Sequence, residues 1–467
     1  MNTWSGSIAS IVESYISREV PFRFRGIDFT FALSQGLFSS NDIDTGTRLL
    51  LRVLSQTWDA DIGVGRPLPR SILDAGCGVG VIGICAARAL MELQPAAGAE
   101  ESGAPFFVRA QDRDELARLF TGYNAEKNFL KTEAPIPLTA HTEPLLAFPA
   151  DHRWDLILTN IPAKAGEPVL EDFVRRSVRL LSPGGRVIMV AVNTLSGFFR
   201  SLINRNGSLV REETGREHTV FVYQKRETDT ETADTDHTGP VIAGEHFIKN
   251  NPFYLRSGAN GMDGGEDYKM EGTGYHIDAV HGAAEFDRPC GAAAAAAKLV
   301  SRLGPEKLCS PADSPTAILI HECGQGHFPA WLLRRGLMAD RLILSGRNIL
   351  ALEAARHNLL AAAEGTVPVQ ALPSVELPTI PDRCSFIAAF PETVPGTERF
   401  TQLWEDLAQM LLPGGTALIA LPSSEAEKFD RKKTAGGPNG PHFSRLGDIK
   451  RQGFRALAYR RKDGDLR

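Results

Sequence analysis

The sequence predicts two tandem α/β domains, each built on a doubly wound, mostly parallel sheet, and three observations carry that expectation. Short apolar runs alternate with amphipathic stretches through the first half, a glycine-rich turn sits where one such run hands over to a helix, and the second half repeats the order of the first. Alternation of this kind implies parallel strands joined by crossover helices, with the ligand at the carboxyl ends of the strands.

The strands expected in the first half are Ser71–Asp74, Phe106–Gln111, Trp154–Thr159, Arg186–Val192 and Phe221–Gln224. Helical spacing of apolar residues falls at Val81–Leu93, Glu115–Asn128 and Val169–Leu180, the last ended by Ser182-Pro183-Gly184-Gly185. In the second half, LIHECGQG ending at Gly326 answers LDAGCGVG ending at Gly80, ARHN ending at Asn358 answers TGYN ending at Asn124, and LLPGG ending at Gly415 answers LSPGG ending at Gly185. The separations shrink from 246 to 234 to 230 residues, as loop deletions would make them. Upstream, Tyr275 through Asp287 echoes Phe29 through Asp44, and four matches in one order point to duplication. Between the halves, residues 227–245 are rich in acid, threonine and glycine and nearly free of large apolar side chains. Such a run buries too little surface to offset its ordering entropy and reads as an acidic linker between domains at 1–226 and 246–467.

Composition bounds the partners. A chain of 467 residues with 43% hydrophobic and 23% charged content has room for two or three soluble globular domains. The longest apolar stretch, Val79 to Leu90, is too short to span a membrane and is broken by Arg88, and an N-terminus carrying Glu13, Arg18 and Glu19 is not a secretory signal. Six scattered cysteines without a CxxC pair argue against a metal site or a disulfide framework, so a reducing cytoplasm is the expected setting. The net charge of −5 excludes a cationic coat but leaves a local basic patch for RNA open. No pattern in the chain speaks to an oligomeric state.

The sharpest chemical signal runs from Ile72 to Gly80, ILDAGCGVG. A strand ends at Asp74, and glycines then let the backbone approach a ligand with no Cβ in the way, while the following helix N-terminus favours an anionic group. Gly78-x-Gly80-x-x-Gly83 also fits the dinucleotide fingerprint, so the glycines alone leave NAD and S-adenosylmethionine (SAM) both open. The next strand ends in Asp112, where a carboxylate can accept hydrogen bonds from both ribose hydroxyls. The acid that an NAD enzyme carries about 20 residues past its glycines falls here on Glu100 and Glu101, inside a Pro/Ala/Gly-rich loop.

The motif DxGxGxG with its acid on the strand resembles that of class I SAM-dependent methyltransferases, and Asp112 followed by Asn124 resembles their second motif. Gly36-Leu37-Phe38-Ser39 and the segment from Asp42 to Leu50 are similar to the GvFS…lDxGTxxLL segment of the small-domain (MTS) methyltransferases, a family that includes ribosomal RNA guanine-N2 methyltransferases. The resemblance covers about Phe29 to Gln224. It implies SAM as cofactor, bound by Asp74, Gly76, Gly78, Gly80 and Asp112, with Gly46 and Thr47 at the methionine end and His141 near the adenine. Several relatives are tandem duplications whose degenerate copy comes first; here it would come second.

Asp155 to Gly166 occupies the place of the family's DLIxxNPPF motif, with Asn160 and Pro162 as the catalytic pair. An exocyclic amine is a weak nucleophile because its lone pair is delocalised into the ring. An amide oxygen and a neighbouring backbone carbonyl that accept its two protons draw the lone pair toward the methyl donor, so positioning does most of the chemistry. Ile161 stands for the first proline, and Ala163 for the aromatic that would stack on a flipped base, a departure that bears on guanine as acceptor. An Asn-x-Pro after a strand is also an ordinary turn, and Lys164 fits a solvated lysine as well as a phosphate contact.

In the second copy Ile320 stands for Asp74, Glu322 for Gly76, Gly346 for Asp112 and Ala389 for Asn160, so that copy is expected to be non-catalytic. The expected activity is SAM-dependent methylation of an amino nitrogen of a base in ribosomal RNA. Methylation of a protein side-chain amide or a small molecule, and a non-catalytic SAM-binding or ribosome-associated scaffold, stand as alternatives.

Overall fold

The computed structural model describes residues 6–226 and 265–462, less 39, 94–105, 131, 133–134, 147, 149–151, 306–307, 309–316, 338, 364–366 and 434–442. The chain divides into two compact units, Met1–Phe253 and Tyr254–Arg467. The expected linker at 227–245, and Glu100 and Glu101, lie outside the described residues.

The first unit opens with helix α1 (Gly6–Tyr15) and an antiparallel hairpin of β1 (Arg18–Phe24) and β2 (Ile27–Leu33). Helix α2 (Thr45–Gly63) leads into β3 (Ser71–Ala75), α3 (Val81–Leu93), β4 (Phe107–Asp112), α4 (Glu115–Phe129), β5 (Leu138–Thr142) and β6 (Trp154–Asn160). It closes with α5 (Glu167–Arg179), β7 (Leu181–Val192), α6 (Ser196–Asn206), β8 (Ser208–Thr214) and β9 (His218–Gln224). The seven-stranded sheet runs β5-β4-β3-β6-β7-β9-β8. Strands β3 to β7 are parallel, and the last two pair antiparallel at one edge. Ile72, Leu73, Asp74 and Ala75 of β3 are all buried, as helices on both faces of a parallel sheet require. Neighbours β4 and β6 flank β3 on opposite sides, which opens the crevice beyond their carboxyl ends where ligands of such sheets bind.

Each expected strand and helix forms, with ends moved by a few residues. The largest difference is at β7, which begins at Leu181 rather than Arg186. Trp154 pairs with Leu181 and Leu156 with Arg186, so Ser182–Gly185 bulges out of a continuing strand instead of separating it from the helix. The second unit repeats this bulge: Cys384 pairs with Leu411 and Phe386 with Thr416.

That unit carries its own hairpin, β10 (Gly265–Met270) and β11 (Thr273–Asp278), and the strands β12 (Ala317–His321), β13 (Arg341–Gly346), β14 (Val369–Pro373), β15 (Cys384–Ala389), β16 (Leu411–Pro422), β17 (Phe443–Arg451) and β18 (Phe454–Arg461). Their order, β14-β13-β12-β15-β16-β18-β17, is that of the first sheet strand for strand. Both units are Rossmann-like α/β folds, repeated in tandem along the chain. The repeat extends to single hydrogen bonds. Asn124 of α4 accepts from Ala32 N–H at 2.8 Å and donates to the carbonyls of Ala32 and Val79 at 3.0 and 2.9 Å, tying the hairpin to the turn after β3. Asn358 accepts from Asp278 N–H at 2.8 Å and donates to the carbonyls of Asp278 and Gln325 at 3.2 and 2.9 Å, tying the corresponding parts.

Asn124→Ala leaves three buried backbone groups unpaired, each costing about 1–3 kcal/mol. We expect a loss of about 3 kcal/mol or more in guanidinium unfolding of the first unit, and a comparable loss in the second unit for Asn358→Ala.

Candidate functional site

After Ala75 the chain bends through Gly76–Gly80 into α3. Gly76 and Cys77 donate to the Gln111 carbonyl at 2.9 and 3.0 Å, and the Thr121 hydroxyl donates to the Gly78 carbonyl at 3.0 Å, so β4 and α4 hold the bend from beneath. Gly76 and Gly78 have φ of 80° and 55°. A methyl group added to Gly78 would meet nothing within 4 Å, and one on Gly76 only Leu145 at 4.0 Å. The bare backbone therefore faces open space. Gly80 serves packing instead, because a methyl there would lie 2.9 Å from Ile84 and Thr121.

Two carboxylates flank the bend at different depths. Asp112, the last residue of β4, accepts from Gly78 N–H and Asp114 N–H, both at 3.0 Å, and its pKa is raised by burial and by the neighbouring Asp114. Asp74 is fully buried below, where its Oδ2 accepts from Gly83 N–H in the first turn of α3 at 2.8 Å. Its Oδ1 has no hydrogen-bond partner among the described residues, and burial raises its pKa to about 7.

Across the crevice, Asp44 caps α2. Its Oδ2 accepts from Gly46 N–H at 2.9 Å and Thr47 N–H at 3.2 Å. The same oxygen accepts from the Asn160 amide at 3.0 Å, and the Thr47 hydroxyl accepts from that amide at 3.2 Å. A carboxylate only accepts, so the NH₂ end of Asn160 must face Asp44, and both of its N–H groups are taken. The amide oxygen is left as the group that the loop presents. Gly46 is small for a packing reason, since a methyl on it would lie 2.8 Å from Asp44 Oδ2 and 2.9 Å from the His218 ring. Ile161 is buried and donates its N–H to the Val190 carbonyl at 3.2 Å, while Pro162, Ala163 and Lys164 are exposed in a short 3-10 turn.

The structure thus joins Gly46, Thr47 and Asn160 through Asp44, and places Asp112 on the Gly78 backbone. His141 stands opposite Gln111 in register with β4, and its Nε2 lies 3.0 Å from the Thr139 hydroxyl rather than on either group. Burial, with Arg109 and Arg118 nearby, lowers its pKa to about 4 and keeps the ring neutral. Asp44 and Gln111 escaped the sequence reading as site residues. Buried Gln111 donates to the Leu145 carbonyl and so fixes the loop that faces Gly76. An Asp two residues before GTxxLL was a legible N-cap signal.

The corresponding bend of the second unit is filled from within. A methyl on Gly324, the counterpart of Gly78, would lie 1.9 Å from Glu285 Oε2, and that carboxylate is anchored by Cys290 N–H at 2.9 Å. Glu322, with φ of 53°, turns its Oε1 to Arg347 N–H at 2.9 Å beside Gly346. Gln325 bonds the backbone of Val280 and Ala284 at 2.6 and 2.7 Å. Ile320 and Ala389 are buried in the sheet and carry no chemistry.

Among the described residues no group of three His, Cys, Asp or Glu is arranged to hold a metal ion, and no helix is long and apolar enough to cross a membrane. Among known proteins, residues 28–205 match the model of the family described as methyltransferase small domain. The uncharacterized protein YbxB of Bacillus subtilis (strain 168) is 28% identical over 172 residues, which cover 36% of this chain and 71% of that protein. The ribosomal protein L11 methyltransferase of Xanthomonas campestris pv. campestris is 29% identical over 173 residues, 37% of this chain and 46% of that protein. A solved structure of a T. thermophilus 16S rRNA N2-guanine methyltransferase, in complex with AdoMet and guanosine, matches 97% of this chain and all of its own with a TM-score of 0.57. At 16% identity that likeness is one of fold.

Asp74 yields a pH prediction. An unfolded chain loses this proton near pH 4, whereas the folded one keeps it to about 7, so the group's stabilising effect is full below pH 4 and is lost as pH rises through 7. Ionised Asp74 then costs on the order of 4 kcal/mol. Asp74→Asn keeps an oxygen for Gly83 and cannot ionise, so calorimetry should show its unfolding temperature above wild type at pH 8 and level with it at pH 4. A difference independent of pH would overturn this account.

Proposed function

We propose, from the premise that the first unit is a SAM-dependent methyltransferase of the small-domain family, that its acceptor is an amino nitrogen, and specifically N2 of a guanine in ribosomal RNA. The observation that carries this reading is the fixed orientation of Asn160, whose N–H groups are committed to Asp44 and Thr47. The amide oxygen is thereby preset to accept a proton of the incoming amine, with the Ile161 carbonyl as the second acceptor. The residues also fit the cofactor. Open backbone at Gly76 and Gly78, the Asp112 carboxylate beside it and the unpartnered oxygen of Asp74 suit a ligand that is cationic and rich in hydroxyls. SAM, when bound, supplies an electrophilic methyl group on a cationic sulfur.

In this reading Asp112 and the bend hold the adenosine part and His141 lines the adenine side. Gly46 and Thr47, whose N–H groups Asp44 already occupies, shape the methionine end by position. The T. thermophilus structure, of an enzyme acting on N2 of guanine, supports the substrate. A protein acceptor is the second reading, favoured by the Xanthomonas relative, which methylates a ribosomal protein, and by the absence of an aromatic ring at Ala163. The second copy, read in the sequence as residues 246–467, is proposed to be non-catalytic, because Glu285 and Glu322 stand where a ligand would lie.

Two experiments bear on this. With methyl-labelled SAM, wild type should label ribosomal RNA at a guanine, and Asn160→Ala should lose roughly 10²–10³ in turnover with SAM affinity unchanged. Label in the protein fraction would transfer the assignment to the second reading, and unchanged turnover would remove the loop from the mechanism. Calorimetric titration should find one SAM per chain, abolished by Asp112→Ala. A second equivalent, or binding that survives this substitution, would contradict the silent second unit.

A further inference from the structure

We infer that a groove between β1 and α2 takes the sugar–phosphate backbone of single-stranded RNA next to the target nucleotide, an inference that rests on the RNA reading above. The groove measures about 460 Å³, and four arginines line it with no acidic residue among the lining. Arg48, Arg52 and Gln56 follow one another at four-residue spacing and form one exposed stripe of α2, and Arg23 faces them from β1.

The four arginines are not equivalent. Arg25 is a clamp: it bonds the Ser55 hydroxyl at 2.7 Å and Asp59 at 2.8 Å and is largely covered. Two of the others are held loosely. Arg23 lies 3.6 Å from Asp28, with side chains 72% and 82% exposed, and Arg52 lies 3.7 Å from Glu213 and is itself 59% exposed. Arg48 is tied more firmly: it pairs with Asp42 at 2.9 Å, donates to the Ile43 carbonyl at 3.0 Å and rests 5.2 Å above the Phe22 ring. Ion pairs this exposed hold little, so a phosphate can take over the guanidinium without a large loss.

Position connects the groove to the acceptor loop. Thr47 touches the Asn160 amide, Arg48 is the next residue, and at 1.5 Å per residue Arg52 and Gln56 lie roughly 6 and 12 Å farther along the helix. A strand whose base sits at Asn160 would meet three guanidiniums within a few nucleotides of the target. The chain as a whole carries −5, so its attraction for RNA must be local, and this groove supplies it. Phosphate contacts of this kind position a strand without reading its sequence.

The test uses the full chain, a short fluorescein-labelled single-stranded RNA of mixed sequence, and the double variant Arg23→Ala/Arg52→Ala, whose sites are exposed and outside the acceptor loop. We expect about tenfold weaker RNA binding at low salt, and a dependence of log affinity on log salt that is shallower by about 1.4, or about 0.7 for each lost phosphate contact. SAM affinity and unfolding temperature should stay at wild-type values. Equal RNA affinity of variant and wild type would overturn the groove while leaving the RNA reading intact. A wild type that binds no RNA yet methylates protein would overturn both. Displacement of the RNA by polyglutamate as effectively as by unlabelled RNA would point to an acidic peptide and overturn the nucleic-acid occupant.

Discussion

The site depends on one oxygen. Asp44 Oδ2 accepts from the backbone of Gly46 and Thr47 and from the side chain of Asn160, so a single charge serves two purposes. It ends the unsatisfied first turn of α2, and it decides which way the acceptor amide faces. In the proposed reaction, an amide free to flip would present either a donor or an acceptor to the amine, and only the acceptor draws the lone pair forward. Coupling that choice to a helix cap makes it part of the fold, because the amide cannot turn over unless the helix gives up its cap.

The two units show how little separates an open bend from a closed one. Strand order, the asparagine that ties the hairpin to the turn, and the bulge before the long strand are shared. What differs is where the carboxylates come from. In the first unit Asp112 reaches the bend from the adjacent strand and leaves the space above Gly78 clear. In the second, Glu322 sits on the bend itself and accepts from Arg347 N–H, and Glu285 enters from the loop after the hairpin and accepts from Cys290 N–H. Polar backbone near a buried bend needs partners, and here these side chains provide them.

The elements that could be read in the sequence were those whose pattern is local. Runs of apolar residues ending in glycine marked β3 and α3, and Asp112 followed from its place one strand later. The hairpin β1–β2 and edge strand β8 alternate weakly and are settled by pairing across the chain, which periodicity does not register. The same limit applied at the site. Asn160 was legible from its motif, but its orientation depends on Asp44, 116 residues earlier, and that partner only the fold supplies. Ser182–Gly185 read as a stop because Pro and Gly usually break structure; opposite Trp154 and Leu156 they become a bulge instead.

The depth of Asp74 bears on why a cationic cofactor suits this bend. Buried carboxylates near one another resist joint ionisation, and beyond its burial Asp74 has its proton affinity raised by Asp112. Asp112 escapes part of that cost through two backbone N–H groups, whereas Asp74 has one and an oxygen left over. A positive ligand above them lowers the cost of both charges at once, more strongly here than in water because Asp74 is buried beneath the bend. The glycines then matter for electrostatics as well as for shape. By letting a ligand come down onto the backbone, they shorten the distance between its charge and Asp74, whose Oδ1 has no partner among the described residues.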